Sequence, residues 1–110
     1  EKSTYQMDPA NSDEAMHEIA LDIAEGADII IVKPGLPYLD ILARAKTKFG
    51  VPCVAFQVSG EYSMLSASFD KEWMDRESTI MEVMICFKRA GADAIITYFA
   101  PEIATLIRQL

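Results

Sequence analysis

Lys33 is the residue in this chain best placed to do covalent chemistry. It closes the apolar run "DIIIVK" at residues 28–33, so its amine follows three isoleucines and a valine. A partly desolvated ammonium loses its preference for the charged form. The expectation is a lowered pKa and a free amine able to attack a carbonyl. Pro34 restricts the residue before it to extended backbone, which would help to aim the side chain. The plainer alternative is a strand-end lysine that reaches solvent or pairs with Asp40. A second candidate lies in "QVSGEY", where Ser59 precedes a glycine and a turn would present a hydroxyl and backbone N–H groups to an anion. An ordinary helix cap explains the same serine equally well. Tyr98 ends the run "DAIITY", and its phenol either bonds a ligand or completes the core.

Other polar residues carry weaker signals. Lys2 and Gln6 lie in the aperiodic opening "EKSTYQMDP" and would hold a carboxylate only if that loop closes over a site; otherwise they are solvated. Glu14, Glu18 and Asp22 recur every four residues, giving an acidic helix face that either meets a metal ion or is simply wet. His17, the single histidine, reads as a surface residue among acidic neighbours.

The elements that must position these groups follow one repeated phrase of amphipathic helix, glycine stop and short apolar strand. Asn11 with Glu14 three residues on forms a capping box, after which Met16, Ile19, Ala20 and Ile23 recur at helical spacing up to Gly26. The strand at 28–33 is apolar on both faces, as in a parallel strand covered on both sides. A helix with Tyr38, Leu39, Ile41, Leu42 and Ala45 on one stripe ends at Gly50, and a second strand spans 51–57. Residues 59–68 are small and polar and include a short helix. A longer helix over 75–90 aligns Ile80, Val83, Met84 and Phe87, and Gly91 ends it before a third strand at 93–98. The last helix has Pro101 in its first turn and a stripe of Ile103, Leu106, Ile107 and Leu110.

"EGADIIIVKP" echoes "AGADAIITYFAP", so two helix-to-strand units share one design. Helices alternating with parallel strands mean a (β/α) barrel or a doubly wound sheet, and both collect function at the carboxyl ends of their strands. Those ends are Lys33, residues 57–62 and Tyr98. Three strands do not close an eight-stranded barrel, and their edges would stay open and apolar. Residues 1–110 are therefore expected to be one piece of a larger α/β enzyme, three parallel strands with flanking helices that form either a partial (β/α)8 TIM barrel or part of a doubly wound sheet.

Composition narrows the function classes. Among 110 residues, half are hydrophobic and the net charge is −7, which suits a packed core and argues against nucleic-acid or anionic-membrane binding. No apolar run approaches the roughly 18 residues of a membrane span. No signal-peptide pattern is visible, and a cytoplasmic location is expected. Cys53 and Cys86 are too far apart in sequence to suggest a zinc site or a disulfide framework.

Four ordered motifs, "TYQMDPAN", "EGADIIIVKPGLPYLDI", "FQVSGEYSM" and "KRAGADAIITYFAPE", resemble the carboxy-terminal third of the porphobilinogen synthase (5-aminolevulinate dehydratase) family. The resemblance implies a (β/α)8 lyase that condenses two 5-aminolevulinate molecules into porphobilinogen for tetrapyrrole and heme synthesis, in an enzyme expected to be an octamer. By the same resemblance Lys33 is the Schiff-base lysine. Ser59 and Tyr98 bind the carboxylate of that substrate, and Lys2 and Gln6 bind the carboxylate of the other. Glu18 occupies the place of an allosteric magnesium ligand, no organic cofactor is implied, and any zinc site lies outside this chain. Many members have tyrosine where this chain has Phe56, and the family's second active-site lysine lies upstream of residue 1. The isolated segment is therefore expected to be inactive. Two alternatives stand beside this reading: another Schiff-base barrel such as an aldolase, for which the region after Tyr98 lacks a glycine-rich phosphate cradle, and a non-catalytic assembly fragment.

Overall fold

The structure, a computed structural model, describes residues 10–110. Helix α1 (Ser12–Ala24) starts where Asn11 accepts the N–H of Glu14 at 3.0 Å. Strand β1 (Ile30–Val32) follows, then a single 3-10 turn at Leu36–Tyr38 and helix α2 (Leu39–Phe49). Strand β2 (Cys53–Phe56), helices α3 (Ser59–Asp70) and α4 (Arg76–Ala90), strand β3 (Ala94–Ile96) and helix α5 (Ala100–Arg108) complete the order.

The three strands form one parallel sheet in the order β1-β2-β3. Val32 pairs with Ala55 and Ala55 with Ile95, while Phe56 pairs with Ile96. Period-two alternation then sorts the side chains. Ile30, Val32, Cys53 and Ala55 are buried on the face covered by helices, where Leu42, Ala45 and Phe87 also have no exposed surface. The two echoed units share their turn: Gly26 and Gly91 stand at φ +108° and +115°, backbone that glycine adopts without a Cβ penalty.

Asp93 registers the amino ends of β2 and β3. Its Oδ2 accepts the Cys53 N–H at 2.9 Å and the Lys46 ammonium at 2.8 Å. These bonds, the Lys46 bond foremost, hold its carboxyl below the usual carboxylate range. At the far side Arg76 forks onto Glu102 with two 2.8 Å bonds, joining the starts of α4 and α5. Its guanidinium also lies 5.3 Å from the Phe69 ring and 5.7 Å from that of Phe99.

Several expectations need correction. β1 is not covered on both sides: Ile29 and Ile31 are 55% and 54% exposed, because among the described residues helices cover one face of the sheet and leave the other open. Residues 59–68 belong to a full helix of 12 residues rather than a short one. The third strand stops at Ile96, and Tyr98 lies in the turn before α5. The α5 stripe is only partly covered, with Ile107 and Leu110 exposed.

Candidate active site at the carboxyl ends of the strands

Because the strands are parallel and in register, the residues that follow them emerge along one edge of the sheet. Lys33 leaves β1 next to the level of Phe56, and the N–H of Gly35 donates to the Phe56 carbonyl at 2.8 Å. Lys33 Nζ lies 5.8 Å from the centre of the Phe56 ring, a cation–π distance. The Lys33–Pro34 peptide is cis. Among the described residues Lys33 makes no ion pair, so the alternative pairing with Asp40 is not formed. The expected desolvated setting is not formed either. Lys33 is exposed, because the face it shares with Ile31 and Phe56 has no second layer over it.

Ser59 is exposed at the first position of α3, one residue past the strand-end Gln57–Val58 pair. It is not the helix cap. Val58 occupies the cap position with extended backbone and offers no side-chain acceptor, so the Ser59 hydroxyl is left available beside the amino end of a helix. Tyr98 is 59% exposed, with its ring 5.5 Å from that of Tyr62, which packs in turn on Phe99 at 4.7 Å. Lys33, Ser59 and Tyr98 thus stand at the carboxyl ends of three neighbouring strands. Lys2 and Gln6 lie outside the described residues.

Two buried polar side chains tie this edge together, and neither stands out as functional in the sequence. Glu61 is 3% exposed. Its Oε2 accepts the N–H of Val58 at 2.8 Å and of Gly35 at 3.1 Å, and its Oε1 accepts that of Leu36 at 2.9 Å. Gln57 is fully buried, donates its backbone N–H to the Ile96 carbonyl at 2.8 Å, and accepts the Thr97 hydroxyl on its side-chain oxygen. Thr97 in turn accepts the Phe99 N–H at 3.1 Å, which fixes the turn carrying Tyr98. The only sequence signal for Glu61 is its place in the first turn of α3; its partners 25 and 26 residues upstream are a product of the fold.

Glu18 is exposed on α1 and lines a groove of about 1070 Å³ along the free edge of β1, together with Asp22, Glu25, Asp40 and Lys33. Among the described residues no three His, Cys, Asp or Glu side chains gather closely enough to hold a metal ion. His17 is exposed, as expected.

The model of the delta-aminolevulinic acid dehydratase family matches residues 1–106. The delta-aminolevulinic acid dehydratase of Bradyrhizobium diazoefficiens is 53% identical over 108 residues, covering 98% of this chain and 31% of that protein. This chain belongs to the delta-aminolevulinic acid dehydratase family. The Methanothermus sociabilis relative is 58% identical over 103 residues, or 94% of this chain and 32% of its own length. The crystal structure of the Toxoplasma gondii ME49 delta-aminolevulinic acid dehydratase (porphobilinogen synthase), in complex with the reaction product porphobilinogen, superposes with a TM-score of 0.93 at 53% identity. It covers 96% of this chain and 30% of that one. The chain spans about a third of the length of these dehydratases, and its three parallel strands with their helices are a sector of the (β/α)8 barrel. No helix among the described residues is long and apolar enough to cross a membrane.

Proposed function

We propose that this chain supplies part of the active site of a porphobilinogen synthase, the lyase that condenses two molecules of 5-aminolevulinate, with Lys33 as the Schiff-base lysine. The observation that carries the proposal is the emergence of Lys33, Ser59 and Tyr98 from three separate strand ends on one edge of a parallel sheet, in a member of the dehydratase family.

The lysine step balances without a cofactor. The unprotonated Lys33 amine attacks the ketone carbon of 5-aminolevulinate, forming a C–N bond and breaking the C=O π bond. The resulting carbinolamine loses its hydroxyl as water, and the nitrogen gives up its protons in forming the imine. When the imine nitrogen takes up one proton, the resulting iminium draws electrons from the neighbouring carbon more strongly than the ketone did, which prepares that carbon for bond formation with the second substrate. The Ser59 hydroxyl and the Tyr98 phenol hold the carboxylate of the lysine-bound substrate, since each is an exposed donor beside the strand ends. Lys2 and Gln6 hold the second carboxylate. Phe56 offers Lys33 a ring face beside the strand end.

Glu18 contributes at most one carboxylate to a magnesium ion, which commonly keeps several waters and takes one or two carboxylates. A cytoplasmic homo-oligomer is the assembly we propose. The test is Lys33→Ala in a full-length enzyme carrying these residues: porphobilinogen formation should disappear while the protein still folds. Activity near that of the parent enzyme would overturn the proposal.

A further inference from the structure

Resting on that reading of Lys33 and Ser59, we infer that Glu61 is a positioning residue, whose buried carboxylate sets the distance between the Schiff-base lysine and the carboxylate-binding serine. A carboxylate is among the groups least often buried, and burial is costly unless hydrogen bonds replace the lost water. Glu61 is almost wholly buried and no cation pairs with it among the described residues. Three backbone N–H groups satisfy it instead, and they come from two separate segments.

Those two segments are the ones that matter. Gly35 and Leu36 belong to the turn that begins two residues after Lys33. Val58 immediately precedes Ser59. One carboxylate therefore spans the gap between β1 and β2 just beyond the last strand pairing, where the sheet no longer fixes the spacing. Among the described residues, Leu36 and Val58 N–H have no other acceptor, while Gly35 N–H is shared with the Phe56 carbonyl. The arrangement is rigid because the charge strengthens each bond and the low dielectric of a buried site strengthens it further. Glutamine does not reproduce it. An amide keeps one acceptor oxygen and turns an NH2 group toward an N–H donor, so at least one of the three bonds becomes a donor–donor clash.

The experiment uses a full-length enzyme carrying these residues and measures borohydride trapping of 5-aminolevulinate on Lys33 at saturating substrate. Glu61→Gln should slow trapping and kcat together by about ten- to a hundredfold, the scale expected when a reacting group is displaced by a fraction of an ångström to an ångström. Asp93→Asn serves as the control for a merely structural loss. It weakens the opposite, amino ends of β2 and β3 and should lower the urea midpoint without slowing trapping at temperatures where the protein stays folded. Trapping by folded Glu61→Gln within twofold of the parent, or an equal slowing in Asp93→Asn, would overturn the inference. If Glu61→Gln does not fold, Val58→Pro decides, since it deletes one donor and leaves the carboxylate: slower trapping supports the role and unchanged trapping overturns it. A parent enzyme that shows no adduct on Lys33 would instead overturn the underlying reading of the lysine.

Discussion

Phe87 closes over Gly35 so tightly that a Cβ on Gly35 would sit 2.7 Å from Phe87 Cε1 and 3.2 Å from the Phe56 carbonyl oxygen. The turn after Lys33 is thus pressed against the core of α4, with the fully buried Phe87 ring as its floor. Gly35 is required here for space, since its φ of −65° is open to any residue. Gly35→Ala should destabilise the protein by about 1–3 kcal/mol, the usual cost of overpacking. Phe87→Leu, introduced with it, should recover part of that loss because the shortened ring position makes room. Urea unfolding of the two variants in a full-length enzyme checks both outcomes; an unperturbed midpoint in Gly35→Ala would show that the floor yields freely.

Ser59 and Tyr98 are expected to act on binding rather than folding. Both are exposed, and neither side chain makes a hydrogen bond among the described residues. Ser59→Ala and Tyr98→Phe should each remove a bond to a charged carboxylate, worth roughly 1.5–3 kcal/mol. The loss in kcat/KM would be about ten- to a hundredfold, with the urea midpoint unmoved. Steady-state kinetics in 5-aminolevulinate would decide it, and parent-like values in both variants would remove these residues from the site.

Much of this edge was legible in the chain because periodicity reports burial. Ile80, Val83, Met84 and Phe87 form the buried stripe of α4 as their spacing predicts, and Asn11, Asp75 and the glycines mark helix ends. The order of strand ends, and hence the convergence of Lys33, Ser59 and Tyr98, follows from the alternation of helix and strand. What sequence spacing does not reveal is a contact between segments. Glu61 reads as an ordinary first-turn acid, yet it faces Gly35 and Leu36 across the sheet edge. Gln57 reads as a strand-end polar residue, yet it is buried against Thr97. Apolar composition also misleads about cover. Ile29 and Ile31 are as hydrophobic as Ile30, but the pleat turns them to the open face.

Acid should weaken the two ion-paired hinges of the fold. The Asp93 carboxyl is held below its ordinary range by the Lys46 ammonium and the Cys53 N–H, and that of Glu102 by the Arg76 guanidinium. A carboxyl whose folded pKa lies below its unfolded one adds stability that is complete above the unfolded value. That stability is lost as pH falls through the folded one. Both contributions should therefore be flat from pH 6 to 8 and decline below the ordinary carboxylate pKa of about 4. Both pairs are well exposed, so solvent and salt moderate the effect. Asp93→Asn and Glu102→Gln should each flatten the fall of the urea midpoint below about pH 5, with little change in its slope near neutrality. A mutant acid limb as steep as that of the parent would show that other carboxylates control it.

The central claim is that Lys33 forms the covalent bond to substrate. A full-length enzyme carrying these residues should be mixed with 5-aminolevulinate, reduced with borohydride, digested and mapped by mass spectrometry. The account predicts a reduced adduct on the peptide containing Lys33, absent without substrate and absent in Lys33→Ala. An adduct confined to other lysines, with Lys33 unmodified while the enzyme forms porphobilinogen, would contradict it.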